Sequence, residues 1–113
     1  MERQTVRYEE RGNISIIYID MATVDAATAV ALEHASAELR EVTALDFRAV
    51  RFINSAGLTG LLHFAVATRK RCHRLLAINV SPHHQMKLKM SEVARFMPLV
   101  TEHELLSASA GGV

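Results

Sequence analysis

Tryptophan is absent from this chain of 113 residues, which holds only two tyrosines, four phenylalanines and one cysteine. So few rings cannot line a stacking cavity for a flat cofactor, so none is expected and the core must come from Leu, Val, Ile, Ala and Met. The lone Cys72 cannot form an internal disulfide, which agrees with a reducing compartment. It reads as a structural thiol, buried or half-buried near a helix end. No apolar run approaches the roughly 20 residues that cross a bilayer, and Met1 to Glu10 is charged throughout, unlike a secretion signal. The chain therefore reads as cytoplasmic, with no membrane insertion. Acidic residues are missing from its middle: nine of twelve lie between Glu2 and Asp46, and none lies between Phe47 and Ser91, where eight Lys and Arg occur. Because folding interleaves such a block with the rest of the chain, this asymmetry does not define a nucleic-acid site, and no nucleic-acid partner is expected.

Half of the residues are apolar, enough for one domain of ordinary size. That domain is expected over residues 1–106, followed by a small, glycine-ended tail over 107–113 that frays. Thr5 to Glu10 and Asn13 to Asp20 read as strands around a Gly12-Asn13 turn. The second, with Ile14, Ile16, Ile17, Tyr18 and Ile19, is too apolar to be wetted on one face, which predicts a central position. Asp25 opens a helix expected to reach about Arg40, with Ala29, Leu32, Ala35, Ser36 and Leu39 inward. Val42 to Phe47 and Leu75 to Val80 read as further strands, and Leu99 to His103 as a last one. Ser81-Pro82 starts a helix with a cap and a proline at the first helical position. That helix, His83 to Met90, carries Met86, Leu88 and Met90, and Val93, Phe96 and Met97 predict one more turn before Pro98. Strands alternating with helices imply βαβ crossovers and a largely parallel sheet that starts with an antiparallel hairpin.

The most informative stretch runs from Val50 to Val66. A β-like apolar run breaks at Asn54-Ser55-Ala56-Gly57 straight into a helical pattern. Backbone N–H groups in a first helical turn lack an intrahelical acceptor and carry partial positive charge, so Ser55 sits where a phosphate or a carboxylate can be received. Capping by Asn54 or Ser55 accounts for the same residues without a ligand. Leu58, Leu61, Leu62, Ala65 and Val66 form an i, i+3, i+4, i+7, i+8 stripe expected to face the core. Arg69-Lys70-Arg71 then complements the carbonyl end of the helix dipole. Away from that stripe lie Gly60, His63, Phe64 and Ala67, where a solvated face would show Glu, Lys or Gln. Small residues around one ring predict that another protein's backbone approaches here, with Phe64 as anchor. Packing of Phe64 beneath a neighbouring loop would give the same pattern.

Several chemistries are excluded. A serine at a strand-to-helix turn is reminiscent of a hydrolase elbow, but that turn needs a small residue two positions earlier, where Ile53 stands. No aspartate follows Asp46, and among later glutamates only Glu92 and Glu102 precede a histidine, His103. No catalytic residue is therefore assigned, and no enzymatic activity is expected. His83 and His84 diverge by about 100° on a helix, and Cys72-His73 has no second half, so no metal site is expected. Neither a Walker loop nor a dinucleotide glycine fingerprint is present.

Ala44-Leu45-Asp46, then Asn54-Ser55-Ala56-Gly57-Leu58, then Leu75 to Pro82 and Arg95-Phe96-Met97-Pro98-Leu99 resemble, in that order, the segments of the STAS domain family, named for sulfate transporters and anti-sigma factor antagonists. The resemblance covers about Val6 to Glu102. It implies an α/β fold with a mixed, mostly parallel sheet of four to five strands and helices packed mainly on one face. It also implies a non-catalytic module that binds an anti-sigma factor, itself a serine kinase, until phosphorylation at the helix mouth adds about −1.5 to −2 charge within the interface. The docking surface so implied is the turn and the following helix, Asn54, Ser55, Ala56, Gly57, Thr59, Gly60 and His63, continued by Phe64 and Ala67 of the second stripe. Two departures stand out. The usual phosphoacceptor position holds Ala56, so either Ser55 serves as the candidate acceptor or the module binds constitutively without this switch, and the preceding acid is replaced by Asn54. Ala-Gly-Leu followed by Leu-Leu-His also resembles the STAS subunits of phospholipid-transport ABC complexes, which implies an alternative partner, the transporter ATPase. A homodimer is compatible with either reading.

Overall fold

The computed structural model describes residues 6–35, 39–71 and 74–111. Expectations that concern Ser36, Cys72 and the last two residues lie outside this set. The chain opens with β1 (Val6–Arg11) and β2 (Ile14–Ile19), an antiparallel hairpin. Gly12 turns it with a φ of 61°, where any side chain would be strained. A two-residue strand, β3 (Thr23–Val24), leads into α1 (Ala26–Ala35). Asp25 caps α1 as expected, its Oδ1 accepting from the N–H groups of Ala27 and Thr28 at 3.0 and 3.3 Å. The helix closes sooner than the expected Arg40: by that point the chain has left it, and the Arg40 N–H donates to the buried Ser15 hydroxyl at 2.8 Å.

β4 (Val42–Asp46) follows, then β5 (Phe52–Ile53), α2 (Ser55–Arg69) and β6 (Arg74–Ile78). The strand order β1-β2-β4-β6 puts β2 inside the sheet, antiparallel to β1 and parallel to β4, with β6 parallel to β4. β3 and β5 pair separately as a short parallel ribbon, too brief to leave a periodic signal in the sequence. Ser81 caps α3 (Pro82–Met90), and α4 (Val93–Phe96) gives the extra turn expected before Pro98.

The expected last strand is corrected. Leu99 makes a single parallel bridge to Ala77, and α5 (Glu102–Gly111) then begins. Thr101 and Glu104 cap each other there, Thr101 Oγ1 accepting from the Glu104 N–H and Glu104 Oε1 from the Thr101 N–H. This reciprocal cap favours helix over strand. Residues expected to form a tail from 107 continue as helix to Gly111.

Each sheet face has its own core. Ile17, Leu45, Leu75 and Ala77 pack against Leu32 of α1, Leu61, Phe64 and Ala65 of α2, Leu88 of α3 and Val93 of α4. Ile14, Ile16, Val42, Ala44, Leu76 and Ile78 pack on the opposite face with Leu105 of α5. Among the described residues, four of the five helices thus share one face, and the alternation of apolar residues along each strand distributes them between the two layers.

Candidate functional site: the mouth and open flank of α2

Asn54 has extended dihedrals, and its Oδ1 accepts from the Gly57 N–H at 2.7 Å while its carbonyl accepts from Leu58. Asn54 is therefore the cap, and Ser55 is the first residue of the helix, exposed, with a hydroxyl that the cap does not use. With Gly57 and Leu58 engaged, the N–H groups of Ser55 and Ala56 have no backbone acceptor. They point outward at the positive end of a 15-residue helix.

The mouth is held from behind by contacts that demand small residues. A Cβ on Gly57 would lie 2.1 Å from the Val24 carbonyl oxygen, and one on Gly60 would lie 2.6 Å from Ala29 Cβ. The Asn54 N–H donates to that same Val24 carbonyl at 3.2 Å, and Lys87 Nζ donates to the Ile53 carbonyl at 2.9 Å. The ribbon of β3 and β5, the first turn of α2 and one side of α3 are thereby tied into one frame.

Burial along α2 corrects the expected faces. Gly57, Leu61, Phe64, Ala65 and Thr68 are buried, a stripe at i, i+4, i+7, i+8, i+11. Leu58, Leu62 and Val66, expected in the core, are only half-buried. Phe64, expected as a surface anchor, is 3% exposed and belongs to the main core. Gly60, expected to admit a foreign backbone, instead admits α1 through Ala29, and Gly57 is occupied by the end of β3. The physical cause is the close approach of α1: two glycines on one side of α2 let the chain's own backbone in, and Phe64 follows them inward.

Asn54, Ser55, Ala56, Thr59, His63 and Ala67 are exposed. They keep the mouth and one flank of α2 open to solvent. The structure adds residues that sequence reasoning did not assign to the site. Phe52, just before the mouth, is 65% exposed, and Met86 and Met90 on α3 are 64% and 79% exposed. For Met86 and Met90 the one sequence signal is that Leu88 alternates with them on a helix, so the three cannot share the buried side.

His84 stands behind this surface, 3% exposed. Its Nδ1 lies 3.0 Å from the Ser81 hydroxyl, and its Nε2 has no hydrogen-bond partner. Burial, then the neighbouring His83, hold its pKa below the ordinary 6.5, and Lys87 adds to this while the Arg51 backbone opposes it. No three His, Cys, Asp or Glu side chains among the described residues come together to hold a metal ion. No helix among them is long and apolar enough to cross a membrane.

Among the described residues, a mixed four-stranded sheet with four helices on one face and one on the other, and a hydroxyl-bearing helix mouth left open beside it, defines a small α/β domain. The pattern of the STAS domain family matches residues 2–105, and the chain belongs to that family. Comparison with curated protein sequences gives no match. Among solved structures, an anti-sigma factor antagonist from Mycobacterium paratuberculosis is similar with a TM-score of 0.71 at 20% identity, over 94% of this chain and 93% of that one. The STAS domain of a SulP transporter from Vibrio cholerae is similar with a TM-score of 0.69 at 15% identity, over 92% and 86%. The Bacillus cell fate determinant SpoIIAA in its phosphorylated form is similar with a TM-score of 0.62 at 16% identity, over 91% and 97%.

Proposed function

We propose that this chain is a non-catalytic cytoplasmic module that binds a regulatory protein, of the anti-sigma factor and serine kinase type, through the mouth and open flank of α2. The observation that carries this reading is the exposure of Asn54, Ser55, Ala56, Thr59 and His63 around two unpaired backbone N–H groups. A partner carboxylate or side-chain carbonyl can dock there with no rearrangement of the fold. Ser55 is the candidate phosphoacceptor. A phosphate on it would sit at the favourable end of the helix dipole, so it would spare the fold and act on the interface by charge and bulk. A neighbour of the same fold is recorded in a phosphorylated form, which supports a switch of this kind.

Ala56 favours a second reading. With no hydroxyl at that position, the module would bind constitutively, as suits an accessory subunit on the ATPase of a phospholipid-transport ABC complex. Capture from native lysate followed by mass spectrometry separates the two, because the copurifying protein is either kinase-like or a transporter ATPase. Thr59→Arg is expected to abolish capture of either while leaving the circular dichroism spectrum unchanged; capture unaffected by Thr59→Arg overturns the docking surface. Ser55→Asp is expected to weaken capture of a kinase-like partner and Ser55→Ala to leave it intact. Equal capture by both would leave Ser55 no role as a switch.

A further inference from the structure

Beside the mouth, α2 and α3 enclose an open groove of about 380 Å³ lined by Leu58, His83, Met86, Lys87, Met90 and Ser91. Met86 and Met90 lie one helical turn apart, 64% and 79% exposed, facing a half-buried Leu58. Three flexible or branched apolar side chains in a row, on a surface with nothing over them, form an apolar strip rather than scattered exposure.

The geometry points to a groove for an acidic amphipathic helix supplied by the partner protein. This rests on the reading of the chain as a docking module and names what that partner presents. Two observations carry it. Charge is the first: Lys87 lines the groove together with His83, and no aspartate or glutamate does. An occupant with carboxylates beside its apolar stripe meets the Lys87 ammonium on the α3 wall, whereas a basic helix meets no carboxylate lining the groove. Continuity is the second: Leu58 lies one turn from Ser55 on the same helix, so the groove runs directly out of the open mouth. The trough between α2 and α3 suits the convex side of a third helix, with anchors at i, i+3 and i+4.

The test uses the full chain and two synthetic helical peptides of about 18 residues, long enough to hold a helix. Both carry leucine at i, i+3, i+4 and i+7, with glutamate flanking the stripe in one and lysine in the other. Fluorescence anisotropy is expected to show the glutamate peptide binding at least about tenfold more tightly. Its addition is expected to shift the Met86 and Met90 methyl resonances and to leave those of the core residue Met97 in place. Met86→Glu with Met90→Glu is expected to abolish the preference, while Met86→Gln with Met90→Gln, the uncharged control, is expected to keep it. Equal affinity for the two peptides, or binding that survives the double glutamate variant, overturns the proposal. So do methyl shifts that appear on raising the protein concentration alone, which would make the occupant a second copy, or on adding anionic lipid vesicles alone. If the peptides fail but Thr59→Arg still abolishes capture of the partner, the docking module stands and the groove does not.

Discussion

Replacing Phe64 by alanine tests where the faces of α2 lie. Phe64 is 3% exposed within the main core, while its neighbour His63 is exposed. A buried aromatic ring covers about 150–250 Å², which at about 25 cal/mol per Å² contributes about 4–6 kcal/mol. An unfolded chain already shields about 10–40% of that area, and alanine gains up to about 0.7 kcal/mol in helix propensity. The net loss for Phe64→Ala is then about 2–5 kcal/mol, a range that includes the usual cost of emptying a phenylalanine site in other cores. At about 0.05–0.15 kcal/mol per residue, a domain of this length has about 6–17 kcal/mol in total, so the variant folds but with a much reduced margin. Because the chain lacks tryptophan, far-UV circular dichroism is the natural readout of urea unfolding. With a slope of about 1–1.5 kcal/mol per molar, the midpoint should fall by about 1–5 M. His63→Ala should stay within about 0.5 kcal/mol of the parent. A Phe64→Ala protein that loses less than about 1 kcal/mol yet no longer captures its partner would restore Phe64 as a surface anchor and refute the assignment of faces.

Gly60→Ala is expected to destabilise the domain by about 1–2 kcal/mol, because its methyl group would collide with Ala29 Cβ on α1. Ala29→Gly in the same chain should recover about 1 kcal/mol or more of that loss, and strictly additive effects in the double-mutant cycle would show that the helices do not meet there. His84 sets a pH dependence. Its pKa is held below 6.5 in the folded chain, so between 6.5 and the folded value the unfolded chain binds the extra proton. Stability should therefore fall as the pH drops through 6.5 and level off below the folded pKa. The surface carboxylates Glu9 and Glu10, lowered chiefly by hydrogen bonds from Arg11 and Arg40, titrate below 4.5 and leave that window clear. Urea unfolding between pH 7.5 and about 5 should show this slope in the parent and a shallower one in His84→Gln; identical slopes would mean that His84 titrates as freely as it does unfolded.

Strands whose apolar residues serve both sheet faces were legible from composition alone, since β2 has no wetted side to interrupt it. The caps at Asp25 and Ser81 were legible because a side-chain acceptor three residues ahead of a helical N–H is a local matter. The ends of the chain were less so: Leu99-Val100-Thr101 has the residue types of a strand, but the cap between Thr101 and Glu104 reverses it, a competition decided by two side-chain hydrogen bonds. The site shows a deeper limit. Periodicity reports that α2 has an apolar side and a side of small residues, but it does not report which backbone the small residues admit. Gly57 and Gly60 are consumed by β3 and α1, which draws Phe64 into the core and rotates Leu58 half out of it. The rotation that removes Phe64 from the docking surface is thus the same one that brings Leu58 to face Met86 and Met90. An apolar contact between this chain and a partner therefore has to be sought across the seam with α3, on the opposite flank of α2 from the glycines.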